Sequence, residues 1–294
     1  MRIVSLLPSA TEIVYALGLG DHLSGVTDEC RIPSSVSVPP RVVVRAKQPP
    51  GMTAAEIDVW VSENAAAGGL YRLDEDAVAE IRPELVLTQD LCRVCAVPTG
   101  DVDAALARLS CPSEVVTLEP TRLGEVIDSV QTVADAAGEH ARGASLTALL
   151  RGRLDAVRSA VGPRPPVPTL VLEWLDPPYT AGHWVPDVVA AAGGVALLAA
   201  PGGRSCATGW EQVRSVRPSV LVLAPCGTDP QRTWEQAYLV PADIMATPAV
   251  AADLACPAPG LVDAVEALAA VLHPDAGLPR RDDVAVPRPA VRVG

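Results

Sequence analysis

Arg2-Ile3-Val4-Ser5-Leu6-Leu7-Pro8-Ser9-Ala10-Thr11-Glu12-Ile13 opens the chain with an apolar run that breaks at a proline and continues with helical character. Residues 2–7 have the unbroken apolar pattern of a strand buried on both faces. Ser9 is expected as the helix N-cap, with Glu12 three residues later completing a capping box. The helix should reach Leu17, where Gly18 and Gly20 close it. A buried strand feeding straight into a helix is the first half of a βα unit. It predicts a mainly parallel sheet covered by helices.

The same alternation continues outward from this stretch. Strands are expected over 23–27, 85–88 and 115–118, with helices over 53–64, 74–81 and 102–109 and a proline-rich loop over 33–50. Residues 121–161 carry no strand signal. Leu123, Val126, Ile127, Val130, Val133 and Ala134 fall at the spacing of one helical face. This segment reads as a long helix broken near Gly138 and ended sharply by Gly162-Pro163-Arg164-Pro165-Pro166. A second series follows, with strands over 169–172 and 220–223 and helices over 186–192, 210–216 and 261–272. The fold class is therefore α/β: two lobes, each with a mainly parallel central sheet flanked by helices, joined by a long backbone helix. The expected divisions are 1–120 for the first lobe, 121–162 for the connecting helix, 163–275 for the second lobe and 276–294 for a loose tail.

Bulk properties narrow the function. The 294 residues are 49% hydrophobic, enough for two well-filled cores. The net charge is 23 − 35 = −12, which repels phosphate backbones and anionic lipid heads and argues against nucleic-acid or membrane partners. No segment approaches the ~20 consecutive apolar residues of a membrane span. The first apolar run stops at Pro8, short of the roughly 7–15 residues of a secretory signal, so a cytoplasmic protein is expected. Its seven cysteines would then be thiols.

In parallel sheets ligands bind beyond the carboxyl ends of the strands, so the residues that follow each strand are the candidates. Ser9 and Thr11 follow the first strand at a helix N-terminus, where backbone N–H groups await a partner. Cys30 follows the second strand. Asp90 and the pair Cys92-Arg93-Val94-Cys95 follow the strand at 85–88. Glu173 and Trp174, then His183 and Trp184, follow the strand at 169–172, and Cys226 follows the one at 220–223. Two thiolates at C-x-x-C spacing can grip one metal or form a redox dithiol. With Cys30, and Cys226 as a fourth ligand from the other lobe, the set suits zinc or an iron–sulfur cluster; equally, these are ordinary buried thiols. Trp174 and Trp184, two of five tryptophans, read either as core or as an aromatic wall for a flat ligand. Glu173 and His183 would supply polar contacts beside that wall. No G-x-S-x-G, G-x-G-x-x-G, P-loop or H-E-x-x-H motif is present, and nothing declares catalysis.

The opening stretch, followed by Leu17-Gly18-Leu19-Gly20-Asp21 and Gly25-Val26-Thr27, resembles the start of helical-backbone substrate-binding proteins of cobalamin, haem and siderophore importers. Leu87-Thr88-Gln89-Asp90-Leu91-Cys92 and Leu172-Glu173-Trp174-Leu175-Asp176-Pro177-Pro178 resemble the leaderless branch of that family, labelled cobalamin-binding proteins. The similarity extends over residues 1 to about 273. It implies a class III periplasmic-binding-protein-like architecture, two lobes on a rigid backbone helix, and a corrinoid-like ligand in the cleft between them. The chain departs from the family pattern at Ala251-Ala252-Asp253-Leu254-Ala255-Cys256-Pro257-Ala258-Pro259-Gly260, which has neither an aromatic residue nor an arginine.

Three functional readings stand on the sequence. The first is non-enzymatic binding of a metal-containing or metal-chelating small molecule, a corrinoid above others, with a transporter partner left open. The second is a cytoplasmic metalloprotein or repurposed enzyme using a Cys30/Cys92/Cys95 zinc or iron–sulfur site. The third is an interaction protein whose cleft has lost its ligand.

Overall fold

The apolar run at the start forms β1 (Ile3–Ser5), the buried strand from which the first sheet grows in both directions. In the computed structural model, residues 1–64, 70–90, 99–109 and 111–288 are described. The chain divides into two compact units, Met1–Pro120 with Ile127–Ala148, and Thr121–Val126 with Leu149–Gly294.

In the first unit β1 leads into α1 (Pro8–Ala16), then β2 (Leu23–Thr27), β3 (Arg41–Ala46), α2 (Ala54–Asn64), β4 (Tyr71–Leu73), α3 (Glu75–Ile81), β5 (Leu85–Thr88), α4 (Thr99–Arg108) and β6 (Glu114–Thr117). The strand order is β4-β3-β2-β1-β5-β6. All neighbours are parallel except β4, which runs antiparallel to β3. One core joins sheet to helices through Val4, Val44 and Val86 against Val78, Val102 and Leu106.

Two helices follow, α5 (Leu123–Ala136) and α6 (His140–Val161), with Gly138 between them at φ +74°. That left-handed conformation is open to glycine at little cost, which explains the break in the apolar stripe. The division between the units falls within each of these helices.

The second unit contains β7 (Val167–Leu175), β8 (Pro178–Thr180), α7 (Val185–Ala191), β9 (Gly194–Ala196), β10 (Cys206–Ala207), α8 (Trp210–Ser215), β11 (Val220–Leu223), α9 (Pro230–Thr233), β12 (Ala249–Ala252), α10 (Gly260–Leu272) and β13 (Ala285–Pro287). Its sheet has the order β10-β8-β7-β11-β12-β13, with β9 also pairing β7. The centre, β7-β11-β12, is parallel. Leu170, Leu172, Leu221 and Leu223 are fully buried there. Arg153 on α6 binds Glu266 at 2.7 and 2.8 Å and Asp263 at 2.5 Å, tying that part of α6 to α10.

Several details differ from the sequence reading. Helix α1 starts two residues early, with Pro8 at N1 and Leu7 as an extended N-cap (φ −153°) that makes no side-chain cap bond. Pro8 has a fixed φ suited to N1 and no N–H to satisfy, so Ser9 lies inside the first turn and does not cap. The proline-rich loop contains β3, and the expected loose tail contains β13, which pairs antiparallel with β12.

Candidate functional site

The carboxyl end of the first sheet is closed by a short polar chain. Ser5 donates its hydroxyl to the Leu7 carbonyl at 2.9 Å, and Thr11 donates to Ser5 at 2.9 Å. The Cys30 sulfur lies 3.0 Å from the same Thr11 hydroxyl. Thr11 and Ser9 are buried, and the Thr11 N–H goes to the Leu7 carbonyl at 3.3 Å. The helix leaves the Ser9 and Ala10 N–H groups without intrahelical partners, and both residues are buried. Burial pushes the Cys30 thiol up, only partly offset by its hydrogen bonds to Thr11 and Thr27. Burial likewise raises Glu29, which accepts from the Tyr71 hydroxyl at 3.2 Å. A thiol held protonated in this way is a poor nucleophile and a poor metal ligand. Asp90 is exposed just beyond β5.

The second sheet gathers more chemistry at its carboxyl end. Strand β7 extends past Leu172 to Leu175 and turns at Asp176-Pro177, a cis peptide, into β8. Trp174 lies directly opposite Tyr179 in this hairpin, and both are half-buried. Directly opposed residues of an antiparallel pair share a face, so the two side chains leave the hairpin on the same side. The Trp174 indole N–H is held by the Asp176 carbonyl at 3.1 Å.

Glu173 sits where the β7–β8 register shifts, so it is the bulged residue. Its carboxyl group accepts from the Ser205 hydroxyl and the Gly182 N–H, and burial nevertheless drives it above the usual carboxylate range. His183 adopts φ +51°, donates its N–H to the Gly203 carbonyl at 2.6 Å and accepts from the Gly202 N–H at 2.9 Å. Burial, and then the neighbouring Arg204 charge, lower its pKa and keep the imidazole neutral. Its ring stacks on Trp184 with centroids 5.7 Å apart.

Trp184 itself is 8% exposed and donates its indole N–H to the Leu254 carbonyl at 2.8 Å. It is a core residue of the second unit, so it does not present an open aromatic face. The stretch at 251–260 that lacks aromatic residues supplies the acceptor which anchors Trp184.

Cys226 and Cys206 are exposed, and the Cys226 N–H donates to the Glu173 carbonyl at 3.1 Å. Cys92 and Cys95 lie outside the described residues. Among the described residues no group of three or more His, Cys, Asp or Glu side chains is placed to hold a metal ion. The zinc or iron–sulfur expectation thus gains no support.

Residues 3–254 match the family described as periplasmic binding protein. The chain belongs to the periplasmic binding protein family. Over 271 residues it is 25% identical to the vitamin B12-binding protein of Vibrio cholerae serotype O1, covering 90% of this chain and 86% of that one. A shorter match, 25% identical over 158 residues, is an uncharacterised ABC transporter substrate-binding lipoprotein of Bacillus subtilis, with 53% of this chain and 40% of the relative covered. Two solved structures share the fold. One is a periplasmic heme-binding protein from Pseudomonas aeruginosa, with TM-score 0.72, 18% identity and 98% of each chain covered. The other is the apo periplasmic heme-binding protein RhuT from Roseiflexus sp. RS-1, with TM-score 0.68, 23% identity, and 94% of this chain and 98% of that one covered.

Membership corrects the expectation of a cytoplasmic protein. The family is periplasmic by description, and its relatives are periplasmic or lipoprotein by name. The physical reason lies in β1: residues 2–7 lack leader character because they are a central strand of the sheet, and a sheet strand carries no information on compartment. Among the described residues no helix is long and apolar enough to cross a membrane.

Tyr179, Arg204 and Ser205 lie beside Trp174, His183 and Glu173 and were not singled out from sequence. Tyr179 had a signal, since it follows Trp174 across a two-residue Asp-Pro turn. Ser205 had none, because its role depends on a pairing with Glu173 that is distant in sequence.

Proposed function

We propose that this family member is the substrate-binding component of an importer and that it takes a tetrapyrrole-type ligand, a corrinoid first, at the carboxyl end of its second sheet. The observation that carries the reading is the similarity to a vitamin B12-binding protein along 90% of the chain. The chemistry at β7–β8 is compatible with it. Trp174 and Tyr179 offer an apolar face to a flat macrocycle. The neutral His183 imidazole offers a lone pair or an N–H, and the Arg204 guanidinium a charge for acidic substituents. Haem is the second ligand to consider, favoured by the haem-binding proteins that share the fold. The test is a titration of tryptophan emission with cyanocobalamin and with haemin, each of which absorbs in that region. Saturable quenching whose midpoint moves to higher ligand concentration in Trp174→Ala supports the reading, and quenching by neither ligand overturns it.

A further inference from the structure

We propose that Glu173 is a positioning residue: its carboxyl group braces the Gly182 and Ser205 segments and so sets His183 and Arg204, without itself touching the ligand. The proposal rests on the ligand reading above for its functional meaning, while the brace is a property of the ligand-free fold.

The geometry converges on this one side chain. A bulge adds a residue to one strand and re-aims its side chain, and Glu173 occupies the bulge of β7. Its carboxyl group takes the Gly182 N–H and the Ser205 hydroxyl, and its main-chain carbonyl takes the Cys226 N–H at 3.1 Å. Three segments distant in sequence are thus fastened to one residue. The two segments bearing His183 and Arg204 also lie in direct contact. A β-carbon on Gly182 would run into the Ser205 nitrogen, and would lie 2.5 Å from the Arg204 carbonyl carbon and 2.6 Å from the Gly203 oxygen. Only glycine permits that approach.

The brace also explains the His183 backbone. A non-glycine residue at φ +51° persists only where its surroundings over-determine it. Here the N–H of His183 is fixed by Gly203 and its carbonyl by Gly202. Both partners belong to the segment that Ser205 ties to Glu173. With the brace cut, the left-handed residue is the first to relax, and the imidazole and guanidinium lose their places.

Glutamine at 173 keeps an acceptor oxygen for the Gly182 N–H, and the Ser205 hydroxyl can rotate to accept from the new amide. Alanine keeps neither bond. The experiment measures amide exchange by NMR on ligand-free protein, together with the affinity for cyanocobalamin. It compares the wild type with Glu173→Gln, Glu173→Ala and Ser205→Ala.

Exchange at Gly182, His183 and Gly202 should be slow in the wild type and in Glu173→Gln. It should be about tenfold faster in Glu173→Ala and intermediate in Ser205→Ala, while α10 amides report an intact fold. Affinity should follow the same order. Unchanged exchange in both Glu173→Ala and Ser205→Ala overturns the brace. A Glu173→Gln variant that keeps its slow amides yet loses affinity as fully as Glu173→Ala shows that the carboxylate touches the ligand, and overturns the proposal too. A wild type that binds no cobalamin defeats the ligand reading, and the exchange data then decide the brace alone.

Discussion

Trp174 and Tyr179 stand directly opposite each other across the β7–β8 hairpin, and neither is fully buried. In the proposed function this part-exposed pair is the contact surface for a flat ligand. Trp174→Ala and Tyr179→Ala should each weaken ligand binding about three- to tenfold, the range of one aromatic contact. Their melting temperatures should move little. Isothermal titration beside calorimetry checks both, and a large loss of stability with unchanged affinity would assign the pair to packing.

Trp184 should behave in the opposite way. Its ring is buried and its N–H is committed to the Leu254 carbonyl. Trp184→Phe removes the donor and leaves that carbonyl unsatisfied, at a cost of about 1–3 kcal/mol. Thermal unfolding should show a clear drop in Tm. An unchanged Tm would mean that the Leu254 carbonyl finds another donor or that the ring is less enclosed than described.

The two titratable groups of this site push stability in opposite directions. Burial raises Glu173, so its contribution is full below the unfolded carboxyl value of about 4.3 and is lost as pH rises through the folded value. Burial and Arg204 lower His183, so its contribution is full above the unfolded value of about 6.5 and is lost as pH falls through the folded value. Glu173→Gln should therefore be more stable than the wild type at neutral pH, with the gap closing as the pH approaches about 4.3. Chemical denaturation across that range measures the gap. A gap independent of pH would show that the carboxyl is not shifted.

Thiol reactivity should rank by burial. Cys206 and Cys226 are exposed, whereas Cys30 is part-buried against Thr11 with its thiol held protonated. Timed alkylation with peptide mapping should label Cys206 and Cys226 well before Cys30. Early labelling of Cys30 would show a thiolate there and reopen its role as a ligand.

Much of the fold was legible because β1, β5 and β11 are mostly apolar runs. β1, β2, β5 and β11 announce themselves, and the break between α5 and α6 falls at the glycine where the stripe fails. Of the outer strands β6 was legible, whereas β3 and β13 were not. β3 is a three-valine run between arginines inside a proline-rich stretch, and β13 includes Pro287, which only an edge position tolerates. The site was half legible for a related reason. Glu173, Trp174 and His183 follow a strand end and could be listed from sequence. The division of labour between Trp184 and Tyr179 depends on strand pairing, and that between Glu173 and Ser205 on a bulge. Neither leaves a local pattern. The compartment was misread because the apolar length of a central strand, which carries no information on compartment, was used to decide it.

Equilibrium dialysis of the purified protein against cyanocobalamin, with haemin run beside it, tests the central claim most directly. Saturable binding of one corrinoid per chain, weakened about three- to tenfold by Trp174→Ala, is the predicted result. Failure to retain either ligand at saturating concentration would contradict the account.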